Sequence, residues 1–350
     1  MKKNDLKNKI LRLGMPLLLA LIMGCSQGAR DADNTLQTDS SESQAPDEGQ
    51  AEASDSPDDE TAESEVIEPE ILQPSPEEVA DAWIKEHAIY REATYVDISH
   101  TDVNGVDIDT VIERLPNLER LVMIDCGLDN DGYASLQDRH PDIKIVWEIV
   151  LSHWTIRTDS VAFSTFKTTA DDFFMENDEA YYLKYCNELV ALDLGHNWVS
   201  DLSFLEYMPE LKILILVDNV KYKEGDNYRH LTDLSELQYV PKLRYLEIFA
   251  NNVSDFSFMQ YLPELEDLNI SYNSVSSIQY LTGFSNLKRL WMEETYISYN
   301  NYVYLTQLYP NAQIVYFGES SIDQGWRSGP RYYAMRRMFR ENIIDDLYRD

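Results

Sequence analysis

The sequence reads LVALDLGHN at residues 189–197, and the same spacing of apolar residues returns four times: LKILILVDN at 211–219, LRYLEIFAN at 243–251, LEDLNISYN at 265–273 and LKRLWMEET at 287–295. The starting positions differ by 22, 32, 22 and 22 residues. The longer step is a repeat of the same kind with an insertion near Val220–His230. A fixed period of this length is typical of solenoids, in which each repeat forms one coil.

Each position of this pattern has a physical role. Alternating apolar residues such as Leu192 and Leu194 predict a short strand, and strands of successive coils pair in parallel as a concave sheet. The asparagine, for example Asn197, turns the chain inward, and its amide is expected to bond to the backbone of the neighbouring coil. One coil cannot bury its own apolar face, so stacked coils supply the core, and later residues such as Leu205 fill the convex side.

Weaker coils flank the strong ones. Residues 147–188 break the pattern: Trp147–Ile156 is rich in β-forming residues, and Ala180–Cys186 favours a helix. We interpret 147–188 as an insertion, with or without a hairpin, that joins two repeat blocks, which either share one sheet or form two. The weaker coils are predicted to use Val96, Ile98 and Thr101, then Leu118, Leu121, Met123 and Cys126, then Ile143 and Val146, and at the end Val315 and Phe317.

Helices are predicted at both ends of the repeats. Ser75–Glu78 has the form of a capping box with proline at the first helical position, which predicts a helix over 76–91 with Val79, Trp83 and Tyr90 on its apolar face. A second helix follows Gly329-Pro330. We interpret it as a cap over the last coil; the alternative is a basic contact for an acidic partner, the tether included. Its apolar and basic residues are Tyr332, Met335, Met338 and Phe339, and Arg331, Arg336, Arg337 and Arg340.

The start of the chain has the form of a secretory signal. A basic region, 2–12, precedes a short apolar stretch, Leu13–Met23, which has fewer than the about 20 residues of a membrane-spanning helix. The following Gly24-Cys25 resembles the end of a bacterial lipobox. That resemblance implies cleavage before Cys25 and lipidation of its thiol, and two or three acyl chains at about 0.8 kcal/mol per buried methylene hold a protein firmly.

The next segment is strongly acidic. Residues 26–80 contain 17 Asp or Glu against the single Arg30 and no aromatic residue. Such a segment cannot bury enough apolar surface to offset its chain entropy. It is predicted to be a disordered tether, extended by self-repulsion, that holds the folded domain away from the membrane.

Charge and cysteine content exclude several classes of function. The net charge of −33 disfavours nucleic acid as a partner and provides no polybasic patch for an anionic membrane. Besides Cys25 there are only Cys126 and Cys186, which either stay free in the core or pair with each other. There is no CxxC, HExxH or EF-hand spacing, so no metal or other cofactor is expected.

The repeats resemble a known family. The pattern L-x-x-L-x-L-x-x-N and the phrase ALDLGHN at 191–197 resemble the leucine-rich repeats of internalin-type bacterial surface proteins, in which cysteine is an alternative to the asparagine. The phrase GWR at 325–327 and the phrase RYYAMR at 331–336 resemble leucine-rich-repeat lipoproteins of anaerobic gut Firmicutes. The resemblance covers roughly residues 93–340. It implies an α/β solenoid of horseshoe form, with a parallel concave β-sheet, short helical or 3-10 convex segments and helical caps at both ends. It also implies surface display and a binding role, and no catalytic residue.

These observations divide the chain into three parts. We assign 1–24 to a lipoprotein signal peptide, 25–74 to the acidic tether and 75–350 to the leucine-rich-repeat domain. The domain is further divided into N-terminal coils at 92–146, an irregular insertion at 147–188, main repeats at 189–318 and a C-terminal cap at 319–350.

The repeat geometry also predicts a binding surface. Residues that flank the second and third leucines of each coil point to the concave face, where exposed aromatic and acidic side chains suit recognition of a peptide or sugar. Two alternatives are ordinary sheet-surface residues, or a face covered by the Val220–His230 insertion. The candidate ligand-binding residues are Asp193, Ile215, Tyr245, Glu247, Phe249, Asn269, Arg289, Trp291 and Glu293.

Three functions were weighed. The favoured one is a lipid-anchored, extracytoplasmic binding module of the cell envelope for a protein, peptide or glycan. The second is a non-catalytic structural subunit of an envelope complex. The third is an extracellular hydrolase that would use Asp193, Glu247 or Glu293, with His196 at a nearby turn; no residue is assigned a catalytic role.

Overall fold

A computed structural model describes residues 73–168, 170–221, 229–318 and 322–349. The predicted signal peptide, Cys25 and nearly all of the acidic tether lie outside the described residues, as does the middle of the Val220–His230 insertion. No described helix has the length and apolar character needed to cross a membrane.

The described chain begins with the predicted capping box. The Ser75 amide donates to Glu78 Oε2 (3.0 Å), and the Glu78 amide donates to Ser75 Oγ (3.3 Å). Helix α1 (Pro76–Glu86) follows and packs against helix α2 (Ile108–Glu113). The helix ends five residues earlier than predicted, and Tyr90 is exposed, so the expectation that Tyr90 belongs to the apolar face is wrong.

The first three coils form a separate parallel sheet. Its strands are β1 (Tyr95–Asp97), β2 (Arg120–Val122) and β3 (Lys144–Val146), with helix α3 (Asn130–Arg139) between the last two. Leu121 pairs with Ile145, not with Val146, so the predicted register of the third coil is wrong by one residue. Ile145 and Val146 are apolar neighbours on opposite faces of the strand. Because a slip of one residue exchanges the two faces of a strand, either residue could be taken for the one that faces the core.

The predicted insertion contains both a hairpin and a repeat coil. Strands β4 (Glu148–Val150) and β5 (Thr155–Arg157) pair in antiparallel, which confirms the hairpin. The next strand, β6 (Ala162–Ser164), is already the first strand of the main sheet. A short helix α4 (Asn177–Ala180) and a 3-10 turn (Tyr181–Tyr185) complete that coil. The two blocks therefore have separate sheets, although one apolar core runs through both.

The main sheet contains seven parallel strands, one per coil. Leu192, Leu214, Leu246, Leu268 and Leu290 stand side by side across it, as the repeat predicts. The strands after β6 are β7 (Ala191–Asp193), β8 (Ile213–Ile215), β11 (Tyr245–Glu247), β12 (Asp267–Asn269), β13 (Arg289–Trp291) and β14 (Gln313–Val315), and the insertion adds a small hairpin of β9 (Val220–Lys221) and β10 (Arg229–His230).

The convex side consists mainly of 3-10 helices, as predicted. They cover Ser203–Tyr207, Ser235–Tyr239, Ser257–Tyr261 and Gln279–Leu281, and the last coil uses helix α5 (Tyr299–Leu308) instead. In that coil the register again differs from the prediction by one residue. Ile314 and Tyr316 face the core, whereas Val315 lies on the concave face and Phe317 is exposed.

A ladder of asparagine side chains joins the coils. Asn251 Nδ2 donates to the carbonyl oxygens of Leu216 (2.6 Å) and Ile248 (3.1 Å), while its Oδ1 accepts from the amide of Asn219 (2.8 Å). The Leu216 carbonyl belongs to the preceding coil, which confirms the predicted bond between the asparagine amide and the backbone of a neighbouring coil. The residue before the ladder position has positive φ in coil after coil, as the inward turn requires: His196, Asp218, Ala250, Tyr272 and Glu294.

Cysteine takes the ladder position in the first block. Cys126 Sγ donates to the Ile98 carbonyl of the preceding coil at 3.1 Å, as asparagine does elsewhere. Cys126 and Cys186 are both buried free thiols, so they do not pair with each other. Burial raises the pKa of the Cys186 thiol to about 12.

The C-terminal helix lies in an unexpected place. Helix α6 (Gly329–Glu341) ends at Asn342, whose φ is 50°, and a 3-10 turn (Asp346–Tyr348) follows. We expected this helix over the end of the last coil. It lies instead on the concave face of the main sheet, where Met335 and Phe339 pack with Ala191 and Ile213.

Candidate functional site on the concave face

All nine predicted ligand-binding residues lie on or beside the concave side of the main sheet, but that face is not open. Trp291, Tyr245 and Asn269 have 0% of their surface exposed, and Glu247 has 1%. The expectation of exposed aromatic side chains there is therefore wrong. The C-terminal segment, residues 322–349, covers this face, and we call it the cover. Of the other predicted residues, Ile215 and Glu293 are also buried, and Asp193, Phe249 and Arg289 are partly exposed.

Trp326 is the centre of the cover. Its indole is fully buried, with ring centroids 5.0 Å from Trp291 and 5.4 Å from Tyr245. The guanidinium carbon of Arg289 lies 4.5 Å from the same ring, and Arg289 Nη1 donates to the Trp326 carbonyl at 2.9 Å. Aromatic rings in this arrangement add attraction beyond the area they bury.

Buried ion pairs attach the cover to the sheet. Asp267, which is fully buried, accepts from Arg289 Nε at 2.6 Å and from Arg331 Nε at 2.7 Å. Arg331 also pairs with Glu266, and Arg327 Nη2 lies 3.1 Å from Glu247 Oε1. Asp267, Glu266 and Glu247 are therefore neutralised within the chain by arginines of the cover.

Hydrogen bonds to backbone atoms attach the C-terminal part of the cover. Asn342 Oδ1 accepts from the amides of Val161 (2.8 Å) and Ala162 (3.1 Å), at the first strand of the main sheet. Lys212 Nζ donates to the Tyr348 carbonyl at 2.9 Å. Since Trp326 contacts β13, the cover extends from one side of the sheet to the other.

A polar pocket stays open between the cover and the carboxyl ends of β6, β7 and β8. Its volume is about 220 Å³. It combines carboxylates, cations and an apolar wall, and it includes three of the predicted residues: Asp193, Ile215 and Glu247. The other lining residues are Phe166, Lys167, Thr168, Gly195, His196, Val217, Arg327, Tyr332, Met335 and Arg336.

Asp193 and Glu247 differ within this pocket. Glu247 is bound on both oxygens, by Arg327 and by the Tyr245 hydroxyl at 2.8 Å. Asp193 accepts hydrogen bonds from Ser164 Oγ (2.8 Å) and the Gly195 amide (3.0 Å). Burial, with a smaller effect of the Glu247 charge, raises the pKa of Asp193. Asp193 is thus the carboxyl group of the pocket that is bound by neutral donors.

The cations at the opposite wall rest on aromatic rings. The guanidinium carbon of Arg336 lies 5.0 Å from the centre of the Phe166 ring. Lys167 Nζ lies 4.0 Å from the Phe174 ring, which stacks on Trp198 with centroids 4.1 Å apart. Lys167 Nζ also donates to the Asp171 carbonyl at 3.1 Å.

Glu293 lies apart from this pocket. It has 2% exposure, and burial together with the neighbouring Asp323 raises its pKa to about 8. A Cβ atom added at Gly318 would lie 1.8 Å from Glu293 Oε1. The Gly318 backbone therefore packs directly against this carboxyl group. In the described part of the chain, no three His, Cys, Asp or Glu side chains are placed to hold a metal ion.

Two features of the structure were not predicted from the sequence. The first is the pairing of cover arginines with acids of the concave face: Arg331 was named as a basic residue of the helix, but its partners Asp267 and Glu266 were not. The second is a row of exposed tyrosines, which close three successive 3-10 helices of the convex side. They are Tyr207, Tyr239 and Tyr261, and their recurrence with the repeat could have been read from the sequence.

Comparison with known proteins gives structural similarity alone. No protein-family model and no curated protein sequence matches the chain. Similar solved structures include internalin C2 of Listeria monocytogenes (18% identity, 70% of this chain, 96% of that chain, TM-score 0.31). A second internalin of that species has 16% identity over 70% of this chain and 91% of its own (TM-score 0.32). A leucine-rich-repeat protein of Leptospira interrogans has 17% identity over 63% of this chain and 60% of its own (TM-score 0.34).

The coils themselves establish the fold. With one parallel strand per coil, 3-10 outer turns and an asparagine ladder, the described chain is a leucine-rich-repeat solenoid.

Proposed function

We propose that the chain is a lipid-anchored, non-catalytic binding module of the cell envelope. In this proposal Cys25 carries the anchor, and the concave side recognises an extracytoplasmic protein, peptide or glycan. The observation that carries the proposal is the polar pocket beside the cover, because charged side chains of the concave side meet solvent there.

The cover itself supports a binding role for this face. It is held as a bound peptide is held, by a buried aromatic anchor (Trp326) and by charged pairs such as Arg331–Asp267. Solenoids present concave surfaces suited to extended partners. With the centre of the face occupied by the chain's own segment, we place recognition at the pocket and at the adjacent loop, Phe166–Thr168.

Crosslinking tests this placement. A photoreactive residue at exposed Thr168, beside the pocket, should crosslink to an envelope component in living cells, whereas the same residue at exposed Gln260, on the convex side, should not. The adduct should be lost in Arg336→Gln and kept in Arg340→Gln, which makes the same charge change at an exposed position of α6. Equal adducts from both sites, or none from Thr168, would contradict the placement.

The anchor has its own test. Mass spectrometry of the mature N-terminal peptide should find Cys25 as the first residue with acyl chains attached. Cys25→Ser should release the protein from the membrane fraction. An unmodified Cys25, or cleavage at another bond, would refute the lipid anchor and leave the placement of the binding site untouched.

The tyrosine row favours a second candidate, a structural subunit of an envelope complex. Tyr207, Tyr239 and Tyr261 are exposed at matching positions of three coils, and tyrosine is enriched at protein interfaces. If this candidate is correct, replacing all three by serine should reduce the size of the complex extracted from membranes. Arg336→Gln should leave that size unchanged.

A further inference from the structure

We propose that the pocket between the cover and strands β6–β8 binds a zwitterionic group of the amino-acid or short-peptide class, with its ammonium at Asp193 and its carboxylate at Arg336. The inference rests on the proposed function and names the class of ligand for the same site.

Asp193 supplies the negative wall. Its two oxygens accept from neutral donors, Ser164 Oγ and the Gly195 amide, and no Lys, Arg or His nitrogen of the described chain lies within 4.0 Å of them. The nearby Arg327 pairs with Glu247 instead. A carboxylate with free lone pairs and no cation of its own is suited to receive a ligand ammonium.

Arg336 supplies the positive wall. Three other arginines of the cover each pair with a carboxylate: Arg327, Arg331 and Arg337. Arg336 differs, because it lies over the Phe166 ring, and no carboxylate oxygen of the described chain lies within 4.0 Å of it. Arg340 of the same helix also has no carboxylate oxygen of the described chain within 4.0 Å, but it is exposed and does not line the pocket, whereas Arg336 is partly buried and does.

The two walls do not neutralise each other, and this favours a ligand with both charges. A simple anion would meet the repulsion of Asp193, and a simple cation that of Arg336 and Lys167. A zwitterion satisfies both sides at once, and its side chain can lie on the apolar wall of Ile215 and Met335. The volume of about 220 Å³ is smaller than the pockets of drug-sized ligands, which begin at roughly 300 Å³.

Calorimetry with matched probes tests the proposal. L-alanine and L-alanyl-L-alanine are titrated into the purified full-length chain, each beside its N-acetylated and its C-amidated form. At least one zwitterion should bind, and blocking either end should weaken binding by about tenfold or more, since each loses a charge-assisted bond. If neither zwitterion binds, or if a blocked form binds equally well, the proposal is wrong.

Variants locate the site. Asp193→Asn should weaken binding of the zwitterion and of the C-amidated probe, and Arg336→Gln that of the zwitterion and of the N-acetylated probe. Arg340→Gln should bind as the parent chain does. Melting temperatures verify that the variants fold. Because Arg336 is partly exposed, Arg336→Gln should fold even if Asp193→Asn does not, and it then tests the site by itself. Full affinity in both folded variants would overturn the assignment.

The two proposals fail separately. If Thr168 crosslinks to its partner while no zwitterion binds, the binding module stands and the ligand class is wrong. If a zwitterion binds while Thr168 gives no adduct, the pocket serves a small ligand and recognition of a large partner there is refuted.

Discussion

The indole of Trp326 packs against that of Trp291, with centroids 5.0 Å apart and the ring planes tilted by 54°, although the two residues belong to different parts of the fold. Trp291 ends a strand of the main sheet, and Trp326 precedes the helix of the cover. Neither indole is exposed. The contact makes the cover part of a second apolar core on the concave side, separate from the core inside the coils.

Removing Trp326 should therefore loosen the cover. We expect Trp326→Ala to lower the free energy of unfolding by about 3–5 kcal/mol, the usual cost of truncating a buried aromatic side chain. Chemical denaturation measures this, and limited proteolysis should show earlier cleavage within 322–349. The control is Tyr333→Ala, 61% exposed in the helix of the cover, which should change stability by less than about 0.5 kcal/mol. Equal stability of the two variants would show that the cover is not anchored by Trp326.

Asp267 should be costly to neutralise. In Asp267→Asn the side chains of Arg289 and Arg331 stay charged and lose their shared carboxylate, and breaking a buried pair costs about 3–5 kcal/mol. The loss should persist at high salt, because buried charges are poorly screened. The exposed Glu264→Gln serves as the control. If the melting temperatures of both variants fall by the same small amount, Asp267 does not hold a buried ion-pair network together.

The asparagine ladder can be tested at Asn251. Replacement by alanine leaves two carbonyls and one amide without their partner, and each unsatisfied buried group costs about 1–3 kcal/mol. We expect a loss of more than about 3 kcal/mol in denaturant titration. Asn300→Ala, at an exposed position of α5, should leave stability nearly unchanged. A neutral Asn251→Ala would mean that water replaces these bonds.

Glu293 should make stability depend on pH. Its pKa is raised from 4.5 to about 8, so the folded chain retains a proton that the unfolded chain releases. Its favourable contribution is complete below about pH 4.5 and is lost as pH rises towards 8. Glu293→Gln should therefore raise the melting temperature at pH 8 relative to the parent chain and change it little at pH 4.5. Identical pH profiles of the two proteins would refute the raised pKa.

The central coils could be predicted because their leucines recur at one spacing with polar residues between them. The third and the last coil were predicted one residue out of register, since Ile145 and Val146, or Ile314 and Val315, are apolar neighbours that face two different cores. A pattern of buried residues assigns a face only when the other face is polar.

The candidate site was only partly predictable. Repeat geometry placed Asp193, Ile215 and Glu247 on the correct face, and all three line the pocket. The cover was not predictable, because an amphipathic helix such as α6 shows that it buries a face but not against which surface. The pocket combines Phe166 with Arg336, and only the tertiary arrangement of the cover brings such distant residues together.

The cover also sets the order in which the protein can be completed during synthesis. Asn342 bonds to the backbone of Val161, 181 positions earlier in the chain. A nascent chain that has emerged only as far as β14 still exposes Tyr245 and Trp291 to water. Residues up to Asn342 must therefore emerge from the ribosome before this face can close, and a chain truncated before Trp326 would leave the apolar side chains of the concave face exposed to water.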